Sequence, residues 1–142
     1  MKVAIRQKYV SPKGLTITTI EKPSPKANEI LVKIHATTVN RTDHALVTGK
    51  PYAMRLFIGL FRPRNPIPGT DFAGIVEAIG SKVSRFKVGD KVFAFRDEGL
   101  FCQAEYVIVS EQANMMKLPA NIDFQTATAS LEGAHYAINI MN

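Results

Sequence analysis

The chain has 142 residues, 46% of them hydrophobic and 21% charged, which suits one folded domain and excludes a disordered or fibrous chain. No apolar run approaches the ~20 residues of a membrane helix, and the opening MKVAIRQKYV lacks the apolar stretch of a secretory leader. A net charge of +6 admits nucleic acid or an anionic small molecule. With no Trp, no Lys/Arg run and no basic–aromatic interleaving, no nucleic-acid partner is expected.

In chain order, the first two-thirds read as short strands rich in Val, Ile, Thr and aromatics: residues 2–6, 15–20, 29–39, 72–80, 91–95 and 104–109. In EILVKIH, Ile30, Val32 and Ile34 fall on one side of the strand and Leu31, Lys33 and His35 on the other. Ser11-Pro12-Lys13-Gly14, Pro23-Ser24-Pro25 and Val88-Gly89-Asp90 supply turns between the runs. Many short strands with few intervening helices predict a mainly β protein built as a closed barrel, not a parallel sheet.

Two helices are expected. A short one covers Thr42–Thr48, and a second opens at Asp123 as N-cap and runs through Phe124, Ala127 and Leu131, with Gly133 as an interruption. Between them, Lys50 to Thr70 holds no acidic residue, while Lys50, Arg55, Arg62 and Arg64 lie beside Tyr52, Phe57 and Phe61. That stretch reads either as a lid over an anionic or aromatic ligand or as a surface helix and Pro-rich loop with snorkelling arginines. The division expected is a domain over 1–122 and a helical segment over 123–142 that leads into a further domain.

VNRTDH places an amide, a guanidinium, a hydroxyl, a carboxylate and an imidazole in succession from Asn40 to His44. Metal binding would need three or four converging ligands. His35, His44 and His135 share no ligand spacing, and Asp43 and His44, as helical neighbours, point about 100° apart. The single cysteine, Cys102, can form no intrachain disulfide and no cysteine zinc lobe, so a reducing, cytoplasmic setting is expected. No His is near it in sequence, and it reads as a buried spectator. No GxSxG, P-loop or GxGxxG occurs. PGTDFAG, residues 68–74, lacks a following helix, so its glycines are assigned to turns and close packing.

The order VN-x-x-D, PG-x-D-x-AG, VGDKV, AEYVIV and KLPANIDF resembles, over the whole chain, the GroES-like N-terminal domain of the medium-chain dehydrogenase/reductases. Zinc-dependent members have Cys where this chain has Asn40, His-Glu where it has Thr70-Asp71, and a third Cys near Leu131 and Glu132. The four-cysteine structural lobe is also missing, which resembles the zinc-free quinone oxidoreductase branch and its enoyl reductase cousins. That resemblance implies a GroES-like barrel followed by a Rossmann domain. It also implies NADPH as cofactor, no zinc, and hydride transfer to a small electrophile, a quinone or an α,β-unsaturated carbonyl. The alternatives are an alcohol dehydrogenase-like aldehyde or ketone reductase and a non-catalytic GroES-like binding module. The resemblance further implies a homodimeric parent, no membrane partner and an inactive isolated domain. As catalytic residues it implies Asn40, Asp43 and Tyr52; as cofactor contacts, Asn40, Arg41 and His135.

Overall fold

The computed structural model describes residues 1–96 and 99–141. Among the described residues there are seven strands: β1 (Lys2–Ile5), β2 (Thr16–Thr19), β3 (Glu29–Ala36), β4 (Asp71–Ile79), β5 (Lys91–Phe95), β6 (Tyr106–Ser110) and β7 (Met115–Lys117). The helices are α1 (Arg41–Thr48), the single turn α2 (Arg55–Ile58) and α3 (Phe124–Met141). β1 and β2 form a separate antiparallel pair, and the others form one antiparallel sheet in the order β6-β3-β4-β5-β7.

The connection between β6 and β7 shows how that sheet curves. They are its two outer strands, about 19 Å apart if the sheet were flat, from four gaps of ~4.8 Å. The chain joins them through residues 111–114 only, and the five Cα–Cα steps from Ser110 to Met115 span at most ~18 Å even when extended. The link is itself folded, with Ala113 N–H donating to Ser110 O at 3.0 Å. The sheet therefore curls until its outer strands approach each other, which is the barrel expected from the sequence.

Inside the curl lie Ile30 and Val32 of β3, Phe72 and Val76 of β4, Val92 of β5, Val107 and Val109 of β6 and Met115 of β7. Burying each such side chain contributes about 1.5–3 kcal/mol. β4 sits between β3 and β5, and its first four residues, Asp71 to Gly74, are all buried. Gly74 is required there, because a Cβ at that position would lie 2.2 Å from the Lys33 carbonyl oxygen. Irregularities in the β3–β4 register between Leu31/Val32 and Ile34/Ala36 bend the pair where β3 runs out toward α1.

Three features depart from expectation. β3 ends at Ala36, so Thr37 to Val39 lie beyond the strand. β7 was not anticipated. α3 passes through Gly133 without a break, opened by Asp123 Oδ1 accepting from Thr126 N–H at 2.6 Å. A helical glycine costs only about 1 kcal/mol, and the packing of α3 on β4 and β5 outweighs that. No helix among the described residues is long and apolar enough to cross a membrane.

Candidate functional site

Asn40 is the N-cap of α1, held in extended conformation at φ −119°. Its side-chain oxygen accepts from Asp43 N–H at 2.8 Å, and Asp43 Oδ2 accepts from Asn40 N–H at 3.2 Å, a reciprocal capping box. The amide nitrogen of Asn40 points inward. It donates to Thr70 Oγ1 at 2.8 Å, and at 3.3 Å to both Thr38 Oγ1 and Asp71 Oδ2. The fully buried Asp71 carboxylate also accepts from Thr38 N–H at 2.7 Å and from the Thr38 hydroxyl. Both hydrogens of the Asn40 amide are thus engaged within a four-residue network.

Asp43 lies under this cap and is 3% exposed. Burial pushes its carboxyl up to about 6, against the lowering effect of the Asn40 amide, and the carboxylates of Asp71 and Glu132 push the same way. Among the described residues its buried Oδ1 has no partner within full hydrogen-bond geometry, the Gly69 backbone amide exerting only a weak lowering effect.

Beside α1 opens a cleft of about 660 Å³, within the ~300–1,000 Å³ range of small-molecule sites. Arg41, Thr42 and Ala45 form one wall, Pro51 and Met54 a second, and Glu132, Gly133 and Tyr136 of α3 a third. The Thr42 hydroxyl donates to Glu132 Oε1 at 2.8 Å and lies 3.3 Å from the Tyr136 hydroxyl, tying α1 to α3 across the cleft. Arg41 is exposed at the rim.

The residues singled out in the sequence do not all meet. Asn40, Arg41 and Asp43 come together at the start of α1. Tyr52 falls between Pro51 and Met54 of the cleft wall, is 66% exposed, and carries the Arg55 guanidinium over its ring at 4.8 Å. His135 faces the other flank of α3, in a separate hollow with Phe93, Phe95 and Ile138. Its ring lies 5.1 Å from that of Phe95. His44 is exposed on α1.

Cys102 is fully buried and donates to the Asp71 carbonyl at 2.8 Å, and burial raises its pKa well above the usual thiol value. Among the described residues no group of three His, Cys, Asp or Glu side chains is placed to hold a metal ion. Two contributors were not assigned from sequence: Thr38, which gave no signal, and Thr42, whose hydroxyl was noted within VNRTDH without a role.

The profile of the alcohol dehydrogenase GroES-like domain matches residues 26–120. The chain belongs to that family. It is 38% identical over 109 residues to the quinone oxidoreductase of Sus scrofa, covering 75% of this chain and 30% of that protein. It is also 38% identical over 103 residues to the chloroplastic quinone-oxidoreductase homolog of Spinacia oleracea, covering 68% and 28%. Among solved structures, the quinone oxidoreductase of Coxiella burnetii superposes with a TM-score of 0.78 at 28% identity, covering 98% of this chain and 44% of that one. The Escherichia coli quinone oxidoreductase complexed with NADPH shares the fold, with a TM-score of 0.78 at 24% identity. The resemblance to the quinone oxidoreductases of the medium-chain superfamily therefore holds. The chain spans under a third of the length of these curated relatives.

Proposed function

We propose that this chain is the substrate-side catalytic domain of an NADPH-dependent oxidoreductase that transfers hydride to a quinone or α,β-unsaturated carbonyl without zinc. The observation that carries this reading is the network around Asn40. At the positions where zinc-dependent relatives place Cys and His-Glu, this chain has Asn40 and Thr70-Asp71, and Asn40 Nδ2 lies 2.8 Å from Thr70 Oγ1. A zinc ion needs three ligands whose lone pairs converge on it. Here the amide and hydroxyl are hydrogen-bonded to each other, and the Asp71 carboxylate accepts from Asn40 Nδ2 and from the N–H and hydroxyl of Thr38.

Alcohol oxidation needs a Lewis acid to acidify the hydroxyl. A conjugated acceptor spreads the incoming charge onto its own oxygen, so aligned hydrogen bonds suffice. NADPH, when bound, supplies the hydride. Arg41, exposed at the cleft rim, offers a cation to its phosphates. Asn40 and Asp43 act as positioning residues: Asn40 ties α1 to Thr70 and Asp71 at the start of β4, and Asp43 Oδ2 closes the cap by accepting from Asn40 N–H. Tyr52, at the rim, is the candidate proton donor to the reduced product, and His135 the candidate contact from the far flank of α3. The nucleotide-binding half, the division at residue 122 and a homodimeric parent belong to the same proposal.

The test is the longer protein that joins this chain to its nucleotide-binding domain, assayed for NADPH consumption with a benzoquinone, an enone and a simple aldehyde. Turnover of quinone or enone with none of the aldehyde is expected. Turnover of the aldehyde alone would point to an aldehyde reductase, and none at all to a binding module; either overturns the reading.

A further inference from the structure

Arg6 is a buried guanidinium with no ion-pair partner among the described residues. It is 4% exposed, donates from Nη2 to Leu46 O at 2.9 Å and from Nη1 to Pro66 O at 3.3 Å, and leaves Nε buried with no partner. Neither ion pair recorded among the described residues includes it. Asp43 acts on it only through space, as a smaller effect than the desolvation that lowers its pKa. A buried cation without a paired anion is costly.

Arg6 lines a cavity of about 220 Å³, with Arg64 and Arg96 also in the wall. Arg96 has partners of its own. The Arg64 side chain is exposed and carries no hydrogen bond or ion pair among the described residues. Phe57, 74% exposed, and Phe101 supply aromatic wall. Phe101 is held at φ 60°, the left-handed region that a bulky residue rarely adopts, and such strain clusters at ligand sites. The same wall includes part of the acid-free stretch from Lys50 to Thr70.

We infer that this cavity binds a small anion, a carboxylate or a phosphate monoester, through the guanidinium groups of Arg6 and Arg64. Its volume exceeds the ~30 Å³ of a single water several-fold and falls short of the ~300 Å³ of a drug-sized cleft. Guanidinium forks match carboxylate and phosphate oxygens, and an anion would supply the acceptor that Arg6 Nε lacks. The inference stands apart from the reductase reading, since none of the cleft-lining residues is shared with this cavity.

The experiment is titration of this chain with inorganic phosphate and, separately, with benzoate, against chloride at matched ionic strength. The Nε–H resonance of Arg6 and the calorimetric affinity are the readouts. Saturable binding of either anion with a shift of that resonance is expected, weakened roughly tenfold in Arg64→Ala, a surface change that leaves the fold intact. Phosphate binding alone identifies a phosphate site, and benzoate binding alone a carboxylate site using the aromatic wall. An unmoved resonance, an equal response to chloride, or affinity unchanged in Arg64→Ala overturns the inference.

Discussion

The side-chain nitrogen of Asn40 donates to the hydroxyl of Thr70 at 2.8 Å, joining the residue that opens α1 to the residue that precedes β4. That bond sets the position of the cleft wall, because Arg41 and Thr42 follow directly on α1. Asn40→Ala removes it together with the cap on Asp43 N–H. Loss of an N-cap costs about 0.5–2 kcal/mol, and the orphaned Thr70 and Asp71 acceptors add to it. A denaturant midpoint lowered by that amount or more is expected, with Asn40→Ser recovering part of the cap; equal stability of Asn40→Ala and the parent would contradict the network.

Asp43 makes stability depend on pH in an unusual direction. Its folded pKa of about 6 lies above its unfolded value near 3.8, so the folded chain holds the proton to higher pH. The burial cost is relieved below the unfolded value, grows as pH rises between the two, and is constant above about 6. Two units correspond to about 3 kcal/mol at most. Asp90, Glu111 and Asp123, whose pKa values are lowered, contribute in the opposite direction. The difference between wild type and Asp43→Asn isolates Asp43. That variant keeps an acceptor for Asn40 N–H, and its stability relative to wild type should rise from pH 4 to pH 7. A difference that is flat with pH would mean Asp43 titrates normally.

Glycine substitutions should separate by what surrounds them. Gly133→Ala, in open space on α3, should stabilise by about 0.5–1 kcal/mol. Gly74→Ala places a methyl 2.2 Å from the Lys33 carbonyl oxygen, so β3 and β4 must move apart. A loss of about 1–3 kcal/mol or more is expected from such overpacking. Thermal melts of the two variants shifting the same way would contradict these placements.

Cys102 should be inert in the folded chain. It is fully buried with its S–H on the Asp71 carbonyl, and its raised pKa keeps the thiolate scarce. Labelling with a thiol reagent at neutral pH should proceed at the rate of unfolding and become fast in denaturant. Rapid labelling of the native chain would place the thiol at the surface.

Much of the fold was legible because its signals are local. The β-branched alternation of EILVKIH, the Asp123 cap and the Val88-Gly89-Asp90 turn each act within a few residues. β7 was missed because Met115, Met116 and Lys117 carry little strand preference, and only pairing with β5 makes them a strand. Gly133 misled because propensity is weaker than the packing of Ala127 and Thr128 against the sheet. The site was less legible. Asn40 and Asp43 meet through helix capping, which sequence spacing encodes, but Thr70 and Asp71, which Asn40 also binds, arrive from a separate segment. Arg6 looked like one more surface charge on a strand, and only burial distinguishes it.

The proposal turns on one claim: hydrogen bonds among Asn40, Thr70 and Asp71 occupy the positions expected to carry ligands in zinc-dependent members of the superfamily, so that hydride transfer would need no metal. The direct measurement is elemental analysis of the longer protein, with its NADPH–quinone rate before and after dialysis against a chelator. Sub-stoichiometric zinc and an unchanged rate are expected. Stoichiometric zinc, or a rate lost to chelator and restored by added zinc, would contradict it.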